Sequence, residues 1–256
     1  MSDRATNSDF LSARAAGNKR FAGADFDGWV GAILDQLSFA SVLDICCGTG
    51  NQLALYGARP DVTDLVGVDI SAASLAKAQA RLDALDVSCD LVETAMETAF
   101  AHAAIVERKF DLVSCFYGLY YAEDAARIMA QMMARCAEGG ALLIVGPHGS
   151  NNSALFELLR RHFEVPPAVL SSAADFMTET VLPVMARELR LETQTFVNPV
   201  RYPSPAALLD YWRNSTFFSA PHEAAVARDL AAHFERHGEF VLEKHVMAAI
   251  GRKVAA

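Results

Sequence analysis

Between Ser41 and Val145, short apolar runs alternate with longer stretches of helical periodicity, and no other feature restricts the possible folds as strongly. The runs are Ser41–Cys46, Leu65–Ile70, Val87–Glu93, Phe110–Phe116 and Ala141–Val145. Most are nearly continuous in apolar residues, as strands are when helices cover both faces of a parallel sheet. Val87–Glu93 differs: Val87, Cys89 and Leu91 alternate with Ser88 and Asp90, which describes a partly exposed strand. Ser71 is an N-cap for a helix over Ala72–Leu85, whose Leu75, Ala78, Leu82 and Leu85 form one apolar stripe. A second helix, Ala122–Glu138, carries Ile128, Met132 and Met133 inward and is expected to stop at Gly139–Gly140. Trp29, Ile33, Leu34 and Leu37 predict an amphipathic helix ahead of the first strand. The expected organisation is an N-terminal helical arm over 1–40, an α/β core over 41–148, and a segment over 149–256 that completes and covers the sheet.

The C-terminal segment predicts helices over Asn152–Phe163 and Ala173–Arg190, with Pro183 kinking or ending the second. Arg190–Val197 and Phe240–Lys253 read as strands. Helices open at Ser204-Pro205, running through Trp212, and at Pro221, running to His237, where Gly238 ends the helix.

Of the 256 residues, 52% are hydrophobic, enough for a substantial core. Lys and Arg number 22 against 31 Asp and Glu, giving a net charge of −9 without a basic face. That balance argues against nucleic acid or an anionic membrane as partner. The first twenty residues lack an apolar signal region, and Ala141–Val145 is far too short to span a bilayer. The five cysteines lie inside apolar segments without C-x-x-C spacing, so neither a disulfide frame nor a metal site is expected, and a reducing cytoplasm is the simplest location.

The stretch Val42-Leu43-Asp44-Ile45-Cys46-Cys47-Gly48-Thr49-Gly50-Asn51-Gln52-Leu53 runs from an apolar strand, past a carboxylate, through two glycines into a helix. Glycines let the backbone turn tightly and let a ligand approach the main chain. A dinucleotide fingerprint needs a third glycine three residues after the second; Leu53 stands there, and Asp44 sets a negative charge beside any pyrophosphate. A cationic ligand removes that objection: a sulfonium with an α-amino group suits Asp44. Further on, Val66-Gly67-Val68-Asp69-Ile70-Ser71 ends the second strand with Asp69, a carboxylate suited to the two hydroxyls of a ribose or to capping the helix at Ser71.

With these residues in place, the region from about Phe26 to Pro147 resembles the class I S-adenosylmethionine-dependent methyltransferases of small-molecule type. The resemblance implies an α/β, Rossmann-like fold: a seven-stranded, mostly parallel sheet with helices on both faces, an antiparallel C-terminal strand and a helical cover. In that family Asp44 matches the acid that opens the first motif, and Gly48 and Gly50 its loop glycines, while Cys46 stands where the first glycine usually lies. Asp69 matches the ribose-binding acid and Ile70 the residue against the adenine face. Thr94-Ala95-Met96 resembles the segment at the adenine edge, with Thr94 replacing a common acid. Lys109-Phe110-Asp111-Leu112-Val113 resembles the fourth strand, with Phe116 and Tyr117 near the methyl donor, and Ala137–Ile144 resembles the helix end, glycine pair and fifth strand. Arg190–Val197 and Phe240–Lys253 fit the family's antiparallel pair, with the substrate cover over 149–220. The implied cofactor is S-adenosyl-L-methionine, held by Asp44, Cys46, Gly48, Gly50, Asp69, Ile70, Ala95, Met96 and Phe116. The adjacent Cys46–Cys47 pair is read as packing at a strand end.

Methyl transfer from a sulfonium is an in-line displacement, so positioning and exclusion of water supply most of the catalysis. A base is needed only for a protonated acceptor, and a carboxylate needs none. Tyr117, Tyr120 and Tyr121 follow the fourth strand and His148 the fifth, at the edge where ligands of such sheets bind. Tyr117, Tyr121 and His148 are therefore the candidate catalytic residues, with His148 as general base. Arg213 beside Trp212 is a candidate grip for a substrate carboxylate. His233 and His237 form an i, i+4 pair without a third ligand and read as a solvated helix face. Ser114-Cys115-Phe116-Tyr117 stands where many nucleobase methylases of the family carry D-P-P-Y or N-P-P-Y. The expected function is methylation of a small metabolite, on oxygen in preference to nitrogen or carbon. The rivals are a cofactor-binding but inactive regulatory or scaffold subunit and a nicotinamide-dependent oxidoreductase.

Overall fold

A computed structural model describes residues 8–253, so the first seven residues of the expected arm lie outside the described residues. In chain order the elements are α1 (Ser8–Arg20), α2 (Phe26–Leu34), β1 (Ser41–Ile45), α3 (Asn51–Gly57), β2 (Asp64–Asp69), α4 (Ala72–Asp83), β3 (Asp90–Glu93), α5 (Met96–Ala99), β4 (Phe110–Phe116), α6 (Ala125–Arg135) and β5 (Cys136–Pro147). There follow α7 (Ser153–Arg160), α8 (Pro167–Ala174), a π-helical turn (Met177–Val181) running into α9 (Leu182–Met185), β6 (Arg190–Tyr202), α10 (Pro205–Arg213), α11 (Glu223–His237) and β7 (Phe240–Arg252). Short 3₁₀ turns occupy Leu119–Tyr121 and Ala220–His222.

The seven strands form one sheet in the order β3-β2-β1-β4-β5-β7-β6. β1 pairs in parallel with β2 and β4, β2 with β3, and β4 with β5. β7 runs antiparallel to β5: Lys253 N donates to Gly140 O, and His148 N donates to His245 O. The register sets Asp44 level with Gly67 on one side and Ser114 on the other, a juxtaposition on which the site depends.

The three consecutive segments 1–40, 41–148 and 149–256 are not the compact units of the structure. One unit holds the described residues up to Phe26, Pro147–Asp175 and Thr195–Val246; the other holds Asp27–Gly146, Phe176–Gln194 and the described residues from Met247. β6 and β7, at 13 residues each, are each divided between the two units.

In the unit that contains β1–β4, the strands' Leu43, Val66, Val68 and Val113 meet Ile128, Met129 and Met132 of α6 and Met177, Val181 and Met185 of the π-turn and α9. Removing each such side chain from water is worth about 1.5–3 kcal/mol. β1 is anchored to β4 at its start by Asp111, whose Oδ2 accepts from Ala40 N, Ser41 N and Ser41 Oγ at 2.9, 2.9 and 2.8 Å. Burial works to raise the Asp111 pKa, but these hydrogen bonds outweigh it and hold the carboxylate below its ordinary value. The other unit has its own core, in which Trp212 is fully buried among residues of α7, α10 and α11.

The predicted strands recur with shifted ends. β4 lies at the predicted positions, β3 is only Asp90–Glu93, and β6 runs on to Tyr202. Gly139–Gly140 does not end a helix as expected: α6 stops at Arg135, and β5 begins at Cys136 with an irregularity in its pairing with β4 between Phe110 and Leu112. Nor does Pro183 break its segment sharply; the π-turn before it widens the helix, which accommodates a residue without an N–H. Ser71 caps α4 as predicted, its side chain accepting from Ser74 N at 3.2 Å. Among the described residues no helix is long and apolar enough to cross a membrane.

Candidate functional site

At the carboxyl end of β1 the backbone enters the left-handed region at three alternate positions: Cys46 (φ 61), Gly48 (φ 54) and Gly50 (φ 75). Glycine adopts this conformation freely, whereas a residue with a Cβ is strained by about 1–2 kcal/mol. Cys46 bears that strain. The space its side chain occupies is matched by an absent one, since a Cβ on Gly118 would lie 2.4 Å from Cys46 Cβ and 2.7 Å from its Sγ. The loop therefore accepts Cys46 because position 118, after β4, is glycine. A hydrogen bond with Cys115, together with burial, raises the Cys46 thiol well above its ordinary pKa, and burial does the same for Cys47. Both remain protonated thiols, in keeping with packing.

Gly50 caps α3 and receives α4 at close range: a Cβ there would lie 2.9 Å from Ala78 Cβ and 3.1 Å from Ala78 Cα. Gly48 is different, since a Cβ on it would meet nothing within 4 Å. One glycine is required by helix packing and the other leaves open space in front of the loop.

Asp69, at the end of β2, ties this loop to the next one. Its Oδ2 accepts from Gly48 N and its Oδ1 from Ser71 N, both at 2.9 Å. Capping and ligand binding are compatible here, because a carboxylate has about four acceptor sites and these bonds use two. Burial raises its pKa against hydrogen bonds from the Ser71, Gly48 and Ile70 backbone. Beside it the apolar Ile70 is 48% exposed. The Ala95–Met96 segment is fastened to the same corner by Thr94 N donating to Asp69 O at 3.0 Å, with Met96 buried and Thr94 Oγ1 bonded to Thr98 Oγ1.

Asp44 is only 1% exposed. Its Oδ1 accepts from Ser114 Oγ at 2.6 Å, and Ser114 Oγ accepts from Tyr56 Oη at 2.9 Å. Burial pushes the Asp44 carboxyl up to about 7; the Ser114 hydrogen bond lowers it, and the Asp69 charge raises it further. Two carboxylates close enough to repel each other thus share this corner of the sheet. Neither Ser114 nor Tyr56 was identifiable as a site residue from sequence, because their roles arise from the register of β1 with β4 and the placement of α3.

Phe116 is buried at the end of β4, and Tyr117 follows with φ 55, 37% exposed, its N–H donating to Val145 O. Tyr121 packs partly against the core with its ring 4.6 Å from that of Tyr120, and Tyr120 meets the Phe176 ring edge-on at 5.9 Å. Of the residues singled out from sequence, Asp44, Cys46, Gly48, Gly50, Asp69, Ile70, Ala95, Met96, Phe116, Tyr117 and Tyr121 belong to this unit. His148 belongs to the other one, where its ring lies 6.3 Å from that of His245; burial and the His245 charge lower its pKa. Arg213 is not a free grip for a carboxylate, since its guanidinium is bonded to Glu223 Oε1. Trp212 is core, its Nε1 donating to Phe217 O at 3.2 Å. The His233 and His237 rings lie 4.6 Å apart and tilted by 45°, and among the described residues no three His, Cys, Asp or Glu side chains are grouped to hold a metal ion.

Residues 42–140, which include every loop and strand of this corner, match the family described as methyltransferase domain. This core is similar to methyltransferase domains. Trans-aconitate 2-methyltransferase from Methylobacterium radiotolerans is 32% identical over 105 residues, covering 41% of this chain and 37% of that protein. The protein of the same name from Deinococcus radiodurans is 30% identical over 118 residues, covering 45% and 41%. The chain thus spans about two fifths of the length of these curated relatives. In structure, the chain shares the fold of YcgJ from Bacillus subtilis, with a TM-score of 0.63 at 16% identity, covering 90% of this chain and 98% of that one. It also shares the fold of the plantazolicin methyltransferase BpumL, solved in complex with a triazolic desmethylPZN analog and SAH, with a TM-score of 0.55 at 14% identity over 98% and 93% of the two chains.

Proposed function

We propose that this chain is an S-adenosylmethionine-dependent methyltransferase acting on a small metabolite, with an oxygen acceptor favoured over nitrogen or carbon. The observation that carries the reading is the pair of mutually repelling carboxylates, Asp44 and Asp69, around a glycine loop whose front is open at Gly48. A buried acid beside a second acid is stabilised by a cationic group, and the ammonium of the donor's amino-acid end is one. Asp69 keeps acceptor sites for ribose hydroxyls, Ile70 offers an apolar face for adenine, and Ala95, Met96 and Phe116 border the same corner. Gly48 N is already engaged by Asp69, which leaves the loop poorly suited to a pyrophosphate. When bound, S-adenosylmethionine supplies a methyl group on a sulfonium, which the acceptor takes by in-line displacement.

The relatives named trans-aconitate 2-methyltransferase support a small carboxylic acid as acceptor. Such an acceptor is already ionised at neutral pH, so the chain's own residues need only orient it and exclude water. Tyr117, half-exposed after β4, is proposed to orient the acceptor.

Incubation with S-adenosylmethionine and a panel of mono-, di- and tricarboxylic acids, read by mass spectrometry, tests this. The expected result is an ester heavier than its acid by one CH2. A protein that binds the cofactor yet methylates nothing in the panel or in a metabolite extract would instead be the inactive, cofactor-holding subunit.

A further inference from the structure

We propose that Tyr56 and Ser114 form a one-way hydrogen-bond relay that positions Asp44 as the counter-charge for the amino-acid end of the cofactor. The proposal rests on the cofactor reading above. Tyr56, Ser114 and Asp44 come from α3, β4 and β1, and all three are essentially excluded from solvent. Their order is fixed by proton count. Burial and the Asp44 charge raise the Tyr56 pKa well above its ordinary value, so Tyr56 keeps its proton and donates it to Ser114 Oγ. A serine hydroxyl has a single proton; with its oxygen accepting from Tyr56, that proton points to Asp44 Oδ1 at 2.6 Å. The relay therefore favours the ionised carboxylate and holds one of its oxygens in place.

Asp69 on β2 is the charged group that raises the Asp44 pKa, and the Asp44 charge in turn helps burial to raise the thiols of Cys46 and Cys47 in the loop and of Cys89 ahead of β3. Asp69 opposes a charge on Asp44 and the protonated thiols carry none, so among these neighbours only the Ser114 hydrogen bond supports the carboxylate. Ser114 and Tyr56 are positioning residues: they act through Asp44 and do not touch the ligand.

Calorimetric titration with S-adenosylhomocysteine and with 5′-methylthioadenosine separates this role from a structural one, because the second ligand keeps the nucleoside and lacks the amino-acid end. Ser114→Ala is expected to weaken S-adenosylhomocysteine about tenfold to a hundredfold, as expected for a lost hydrogen bond to a charged group. It is expected to leave 5′-methylthioadenosine within about twofold. Ser114→Thr, which keeps the hydroxyl, is expected to restore most of the loss. Tyr56→Phe, a gentler change, is expected to give a smaller loss with the same ligand selectivity, and it serves as the test if Ser114→Ala does not fold. Equal weakening of both ligands, or of neither, overturns the relay while the cofactor reading stands. A wild-type protein that binds neither ligand overturns the cofactor reading, and the relay falls with it.

Discussion

Gly50→Ala is expected to lower the melting temperature by roughly 5–15 °C, whereas Gly48→Ala should leave the fold nearly intact and remove cofactor binding. At position 50 two penalties add. The backbone sits at φ 75, where a Cβ is strained, and that Cβ would lie 2.9 Å from Ala78 Cβ on a helix that cannot retreat without unpacking from β2 and β3. Strain of about 1–2 kcal/mol and overpacking of about 1–3 kcal/mol give the expected shift for a chain of this size. At position 48 only the strain applies, because the new methyl group meets no protein atom within 4 Å. It projects into the space in front of the loop, where it would displace a ligand lying against the main chain. Thermal melts and S-adenosylhomocysteine titrations on both variants check the contrast. A Gly48→Ala protein that still binds tightly would place the ligand elsewhere.

Cofactor affinity is also expected to depend steeply on pH on the acid side of neutrality. The Asp44 carboxyl lies at about 7 in the empty protein, far above its ordinary 3.8. Below about pH 7 it therefore carries a proton that a bound ammonium group drives off, and each pH unit further down weakens binding by up to about tenfold. Above about pH 7.5 the carboxylate is already formed and this dependence should level out. Titrations in two buffers of different ionisation enthalpy should count close to one proton released per ligand near pH 6 and close to none near pH 8. The sign carries over to stability. Between about pH 4 and pH 7 the folded chain holds a proton that the unfolded chain has lost, so the empty protein should become less stable as pH rises through that window. The raised pKa of Asp69 acts in the same direction. Asp44→Asn should flatten both profiles, and a profile that keeps its slope in that variant would assign the proton to another group.

Much of the sheet was legible because buried parallel strands are written as continuous apolar runs, and β4 shows this with its predicted limits unchanged. The glycine loop after β1 was legible for a different reason: two glycines and a terminal carboxylate at fixed spacing are a local pattern. What escaped the sequence was relational. Gly139–Gly140 has the composition of a helix stop, yet β5 already begins at Cys136, because pairing with Phe110 of β4 outweighed local preference. Pro183 looked like a breaker, and the π-turn before it absorbed the change. Ser114 drew notice only as part of the tetrapeptide at the end of β4 until the β1–β4 register set it level with Asp44.

Two repelling carboxylates at adjacent strand ends are held to select a nucleoside that carries an ammonium group. That selection is tested most directly by isothermal titration of the wild-type protein and of an Asp44→Ala, Asp69→Ala double variant with S-adenosylhomocysteine and with NAD. The account predicts binding of S-adenosylhomocysteine to the wild type, its loss in the double variant, and no heat with NAD for either protein. Undiminished S-adenosylhomocysteine affinity in a folded double variant, or NAD binding to the wild type, would contradict it.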